Sequence, residues 1–116
     1  MIQVYCYSKC STCQKALKYL KTNSIPHEVI DIKADHPNRE TLESLYKRSG
    51  LPLKKFFNTS GLLYKSMELS KKLPSMSEDE QLELLASDGM LMKRPLLISE
   101  DKVLVGFKEA EWAALK

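Results

Sequence analysis

Long apolar runs are missing from these 116 residues. None approaches the ~20 residues that span a bilayer. The start also lacks the charged-then-apolar pattern of a secretion signal, because Met1-Ile2 leads straight into a strand-like run. A cytoplasmic protein with no membrane partner is therefore expected. Cysteine is scarce: three residues are too few for a disulfide framework in a reducing compartment. Only one Cys-x-x-Cys occurs, and no second Cys or His pair has matching spacing, so no metal is expected. Charge of one sign never accumulates: 18 Lys and Arg stand against 15 Asp and Glu, interspersed, for a net +3. Such a balance neither demands nor excludes nucleic acid. A solvated mixed surface without direct nucleic-acid binding is the simpler reading. Repeats, low-complexity tracts and linkers are absent too, and the length suits one domain over 1–116.

What the chain does have is Cys10-Ser11-Thr12-Cys13. The strand-like run Ile2 to Tyr7 comes just before it, and the helix-like run Gln14 to Leu20 just after. Two thiols three positions apart can close a disulfide and open it again. At a strand-to-helix junction such a pair reads as a thioredoxin-like redox motif. A helix N-terminus offers free N–H groups and the positive end of the dipole. Both favour thiolate over thiol, and the thiolate is the nucleophile. Cys10 is therefore the candidate nucleophile. Cys13, about one turn in, can attack a mixed disulfide on Cys10 and release the product. Lys9, beside Cys10, is placed to favour the thiolate further. Cys6 falls inside the first strand and reads as a small buried apolar residue.

Periodicity orders the rest. Strands are expected at 2–7 and from His27 to Ile32, with a helix from about Thr12 to Thr22 between them and Asn23 as its cap. A second helix opens at His36-Pro37-Asn38 and stops at Gly50. A turn is expected at Phe56 to Gly61, then a short helix from Tyr64 to Lys72. Ser77-Glu78-Asp79-Glu80 has the spacing of a capping box and starts a helix that ends at Asp88-Gly89. Leu96 to Ile98 and Lys102 to Val105 make a hairpin around Ser99-Glu100-Asp101, and a last helix runs from Lys108 to Leu115. The order is β-α-β-α, a helical insert at about 51–92, then β-β-α. This is an α/β thioredoxin-like fold with a mixed four-stranded sheet: the βα units pair in parallel and the hairpin adds antiparallel strands.

Arg94-Pro95 stands directly before the third strand. In such a sheet that place faces the redox cysteines, and X–Pro bonds alone adopt cis cheaply. Arg94 keeps its charge and can hold a thiolate, an oxyanion or a carboxylate. An exposed Arg before an ordinary trans proline is the other reading of the same two residues. Tyr7 could line the cleft, although packing explains it equally. His27 and His36 read as edge or surface residues, and Lys54-Lys55 and Lys71-Lys72 as solvated faces.

Three stretches resemble the arsenate reductase–Spx family, a branch of the thioredoxin superfamily. They are Tyr7 to Ala16, Lys93 to Ile98, and Val105-Gly106-Phe107 followed by Trp112. The resemblance implies a thiol–disulfide oxidoreductase of glutaredoxin-like character, with Cys10, Cys13 and Arg94 catalytic. Lys9, Ser11, Thr12 and Pro95 would contact the substrate. It implies no bound cofactor, glutathione or thioredoxin as external reductant, and a thiol or disulfide substrate, thioredoxin or glutaredoxin as partner. Two further activities accompany the resemblance. Spx-like members are redox-sensing regulators that bind RNA polymerase, with its α subunit the expected partner here, and Arg48-Ser49-Gly50 resembles the segment they present. Reductase-type members use two more arginines, one in the insert and one near the C-terminal hairpin. This chain has Asn58-Thr59-Ser60-Gly61 at the first place and only Lys108 at the second. Arsenate suits forked guanidinium donors, so these departures weigh against arsenate reduction.

Overall fold

Alternation along Ile2–Cys6 (β1) turns Val4 and Cys6 to one side of the strand and Tyr5 to the other. Each side meets its own apolar core, which makes β1 the middle of three layers. The structure is a computed structural model and describes residues 2–115. Its elements follow in the order β1, α1 (Ser11–Thr22), β2 (His27–Asp31), α2 (Arg39–Ser49), α3 (Leu62–Ser66), α4 (Leu69–Lys72), α5 (Glu78–Ala86), β3 (Leu96–Ile98), β4 (Val103–Val105) and α6 (Glu109–Trp112). Short 3-10 turns at Leu53–Phe56, Leu73–Ser75, Gly89–Leu91 and Ala113–Leu115 join or extend them. The helical insert therefore lies between α2 and β3.

The sheet order is β2-β1-β3-β4. β1 and β2 are parallel with Val4 opposite Val29, while β1–β3 and β3–β4 are antiparallel with Val4, Leu97 and Leu104 in line. The expected mixed four-stranded sheet is present. One face packs Val4, Cys6 and Leu97 against Cys13, Ala16 and Leu20 of α1 and Trp112 of α6. The other packs Tyr5 and Leu96 against Leu42 and Leu45 of α2 and Leu82 and Leu85 of α5. Each such large apolar side chain contributes roughly 1.5–3 kcal/mol on burial.

Local chemistry explains most boundaries. The Asn38 side chain accepts from the Thr41 amide to start α2, and Gly50 closes it with left-handed φ of 68°. Ser77 and Glu80 form the capping box of α5 in both directions. Arg39 ties α2 to α5 through Asp79 and, at 2.9 Å, Glu83.

Several boundaries differ from expectation. β1 ends at Cys6 because the Tyr7 carbonyl turns to accept from the Cys10 amide at 3.0 Å. The single helix expected from Tyr64 to Lys72 is two, broken where Glu68 takes φ of 54°. Asn23 does cap α1, with its Nδ2 donating to the Tyr19 carbonyl at 2.9 Å. The left-handed residue, however, is its neighbour Ser24. The last helix loses α-geometry after Trp112, which is fully buried and donates from Nε1 to the Gly106 carbonyl at 3.3 Å. Among the described residues no helix is long and apolar enough to cross a membrane.

Candidate active site

Cys10 is the N-cap of α1. Its amide closes the turn onto Tyr7, and its carbonyl accepts from Gln14 at 3.1 Å as the helix begins. No side chain caps α1, and no carboxylate lies in its first turn. The positive end of the helix is thus left for the thiols. Cys10 is half-buried, whereas Cys13 is 1% and Cys6 4% exposed, and all three are free.

The three thiols meet. Helical spacing carries Cys13 under the sheet, where it reaches the end of β1. The Tyr7 amide donates to Cys13 Sγ at 3.4 Å. Cys6 also hydrogen-bonds Cys13 and keeps its own proton, its pKa pushed up by that bond and then by burial. Cys13 shows the opposite effect. The bond from Cys6 chiefly brings its thiol down from 9.0 to about 6, with help from the Tyr7 amide, a bond from Cys10 and the Arg94 charge, against the opposing effect of burial. One negative charge is therefore shared out among donors and centred on Cys13. The acidic Cys13 follows from two donors, Cys6 at the end of β1 and the Tyr7 amide just after it, that spacing within Cys-x-x-Cys does not reveal.

Arg94 precedes Pro95 through a cis peptide bond, as the sequence made plausible. Its guanidinium lies over the Tyr7 ring, 5.3 Å from the centroid, and Nη1 approaches Met90 Sδ at 3.7 Å. Among the described residues no carboxylate pairs with it, and its buried Nε has no acceptor there.

Cys10 opens into a cavity of about 280 Å³. Thr12, Asn58, Ser60, Lys93, Arg94 and Lys108 supply its polar lining, and Val105, Gly106 and Phe107 complete it. Among the described residues three cations and no carboxylate face this space, which suits a substrate carrying negative charge. Of the residues singled out in the sequence, Cys10, Thr12 and Arg94 share the cavity. Cys13 stands behind it. Lys9 and Ser11 are exposed and Pro95 is buried, and none of the three lines it. Cys6 and Lys93 have no site role in the sequence reading, while Tyr7, open there between cleft and packing, sits beneath Arg94. Period-2 alternation does put Cys6 on the α1 face of β1, and that was the available signal.

Arg48 has another employment. Its Nη2 donates to the Ser99 carbonyl at 2.6 Å and the Glu100 carbonyl at 3.2 Å, so it ties α2 to the β3–β4 turn.

The model of the ArsC family matches residues 5–115, which takes in every element of the site. The chain belongs to the ArsC family. Within it, the uncharacterized protein YusI of Bacillus subtilis (strain 168) is 56% identical over 93% of this chain and 92% of its own. A solved structure of a Bacteroides fragilis protein, named as ArsC-family-related, is 52% identical. It covers 99% of this chain and 97% of that one at a TM-score of 0.97. A Streptococcus mutans UA159 protein, named a possible arsenate reductase, is 46% identical and covers 93% and 92% at 0.87. The thioredoxin-like fold of this ArsC-family chain is thus shared along nearly its whole length.

Proposed function

We propose that the protein is a thiol–disulfide oxidoreductase that acts on disulfides carrying negative charge. The observation that carries this reading is a half-exposed Cys10 at a cavity lined by Lys93, Arg94 and Lys108, backed by an acidic, buried Cys13.

The chemistry balances with these groups alone. The Cys10 thiol already bonds to Cys13. Its proton passes to the Cys13 thiolate as substrate arrives. The Cys10 thiolate attacks one sulfur of the substrate disulfide, forming a mixed disulfide and expelling the first product as thiolate. That thiolate takes the proton back from Cys13. Cys13 then attacks Cys10 Sγ, closing the Cys10–Cys13 disulfide and releasing the second thiolate. The substrate has gained two electrons and the protein has lost two. Glutathione or a thioredoxin resets the pair, and the carboxylates of glutathione match the three cations.

Arg94 holds the substrate anion, and its fixed charge favours the Cys13 thiolate. Tyr7 positions Arg94 from below and Cys13 through its amide. The regulator reading draws less support, since the Arg48 guanidinium that would face a polymerase is committed to two carbonyls of its own chain.

Turnover of glutathione disulfide and of a protein disulfide tests the proposal. Cys10→Ser should abolish both, and Cys13→Ser should accumulate a mixed disulfide on Cys10, visible by mass. Full activity in the Cys10 variant would end it.

A further inference from the structure

The sheet has two edges, and they differ. β2 carries His27, Glu28 and Asp31, and charge on an edge strand discourages pairing with another chain. β4 reads Val103-Leu104-Val105, with no charge on it. Its outward backbone groups can be assigned. Ser99 donates to the Lys102 carbonyl and Gly106 to the Pro95 carbonyl, with Leu97 opposite Leu104. Hydrogen-bonding pairs alternate in an antiparallel ladder. Leu104 therefore turns its N–H and C=O to β3, while those of Val103 and Val105 face the free edge.

A groove of about 670 Å³ runs over this edge. Leu51, Pro52 and Phe57 of the insert wall one side, and α6 the other with Glu111. Its rim carries Lys54, Lys55, Lys93 and Lys108, all exposed. Among the described residues Glu111 is the sole carboxylate lining it, and none of the four lysines forms an ion pair. The lysines stand on the walls, so they leave the edge open rather than blocking it. The groove also continues into the Cys10 cavity, because Lys93, Val105 and Lys108 line both.

We propose that the free edge of β4 and its lysine-rimmed groove dock an extended acidic segment of a protein substrate, which brings a disulfide in that segment to Cys10. The inference rests on the oxidoreductase reading and names the substrate class. The segment adds a strand: its backbone pairs with Val103 and Val105, and its carboxylates meet the rim lysines. Pairing with main chain gives affinity without demanding one sequence, and the lysines select for acidity.

The test uses a short extended peptide rich in Glu and Thr, bearing one cysteine capped as a mixed disulfide. A Lys-for-Glu version and the small neutral hydroxyethyl disulfide serve as comparisons. Expected is a kcat/KM for the acidic peptide about tenfold above that for its basic counterpart at low salt, falling as salt is added. K54E/K55E should remove that preference through KM. It should leave hydroxyethyl disulfide turnover unchanged, as neither lysine lines the Cys10 cavity. N-methylation of alternate peptide amides should weaken the substrate in one register and spare it in the other. Equal rates for acidic and basic peptides, or indifference to both N-methyl registers, would overturn the proposal. So would a concentration-dependent dimer that acidic peptide fails to dissociate, since a second copy would then own the edge. Binding of a fluorescent peptide with Ser in place of its Cys separates the two readings. Turnover of hydroxyethyl disulfide without peptide binding overturns the docking site alone. Charge-selective binding without any turnover upholds the groove and removes the oxidoreductase.

Discussion

Cys6→Ala should make Cys13 a weaker acid. Cys13 is lowered from 9.0 to about 6, and the Cys6 thiol is the largest cause. A shift of this size corresponds to about 4 kcal/mol favouring thiolate over thiol. A hydrogen bond to a charged group is worth about 1.5–3 kcal/mol, so losing it should raise the Cys13 pKa by roughly one to two units. The Tyr7 amide and Arg94 keep the rest of the effect. The measurement is thiolate absorbance against pH in a Cys10→Ser background, with and without Cys6→Ala. Cys6→Ser is the control: its hydroxyl restores a donor of similar size, so most of the shift should return. A packing role alone would leave the titration midpoint in place or move Ala and Ser together. An unmoved midpoint in Cys6→Ala would refute the assignment of Cys6 as donor.

Stability should respond to pH through the same pair. Cys13 has a lowered folded pKa, so the unfolded chain binds more protons between about pH 6 and 9 and stability rises with pH there, by up to about 1.4 kcal/mol per unit. The Cys6 pKa is raised, so above pH 9 the folded chain holds the extra proton and stability turns down; denaturant midpoints across this range check both slopes. Gly89→Ala should destabilise by about 1–3 kcal/mol or more, since a Cβ there would lie 1.9 Å from the Ile32 carbonyl oxygen and backbone has to move. Thermal melting would show it as a loss of several degrees. Arsenate added to the fully reduced protein should leave the thiols titratable, because the cavity offers one forked guanidinium among its lining residues, and loss of two thiols per arsenate would refute this.

The parts of the fold that were legible are those set by neighbouring residues. Asn38 and Gly50 bracket α2, and Ser77 with Glu80 opens α5, because each cap bonds within four positions. Strand alternation placed β1, β3 and β4 to within a residue or so. Glu68 was illegible: nothing in Met67-Glu68-Leu69 demands a left-handed residue, and burial of Tyr64 and Leu69 in one core imposes the break. The candidate site divides the same way. Cys10 and Cys13 are close in sequence, and Arg94 is flagged by its proline. Lys93, Lys108 and the Asn58–Ser60 turn come from three distant segments that only the folded sheet brings around Cys10. Cys6 looked like core and is core, but its neighbour across the layer is a thiol.

Trp112 is the only tryptophan. Its indole Nε1 bonds to Gly106, and its ring meets Phe107 edge-on at 4.9 Å. Gly106 and Phe107 are also wall residues of the Cys10 cavity. The fluorophore is therefore sealed from water yet one residue removed from the reaction space. Intrinsic emission can report occupancy of that space or its rearrangement, without a label and on the timescale of a stopped-flow experiment.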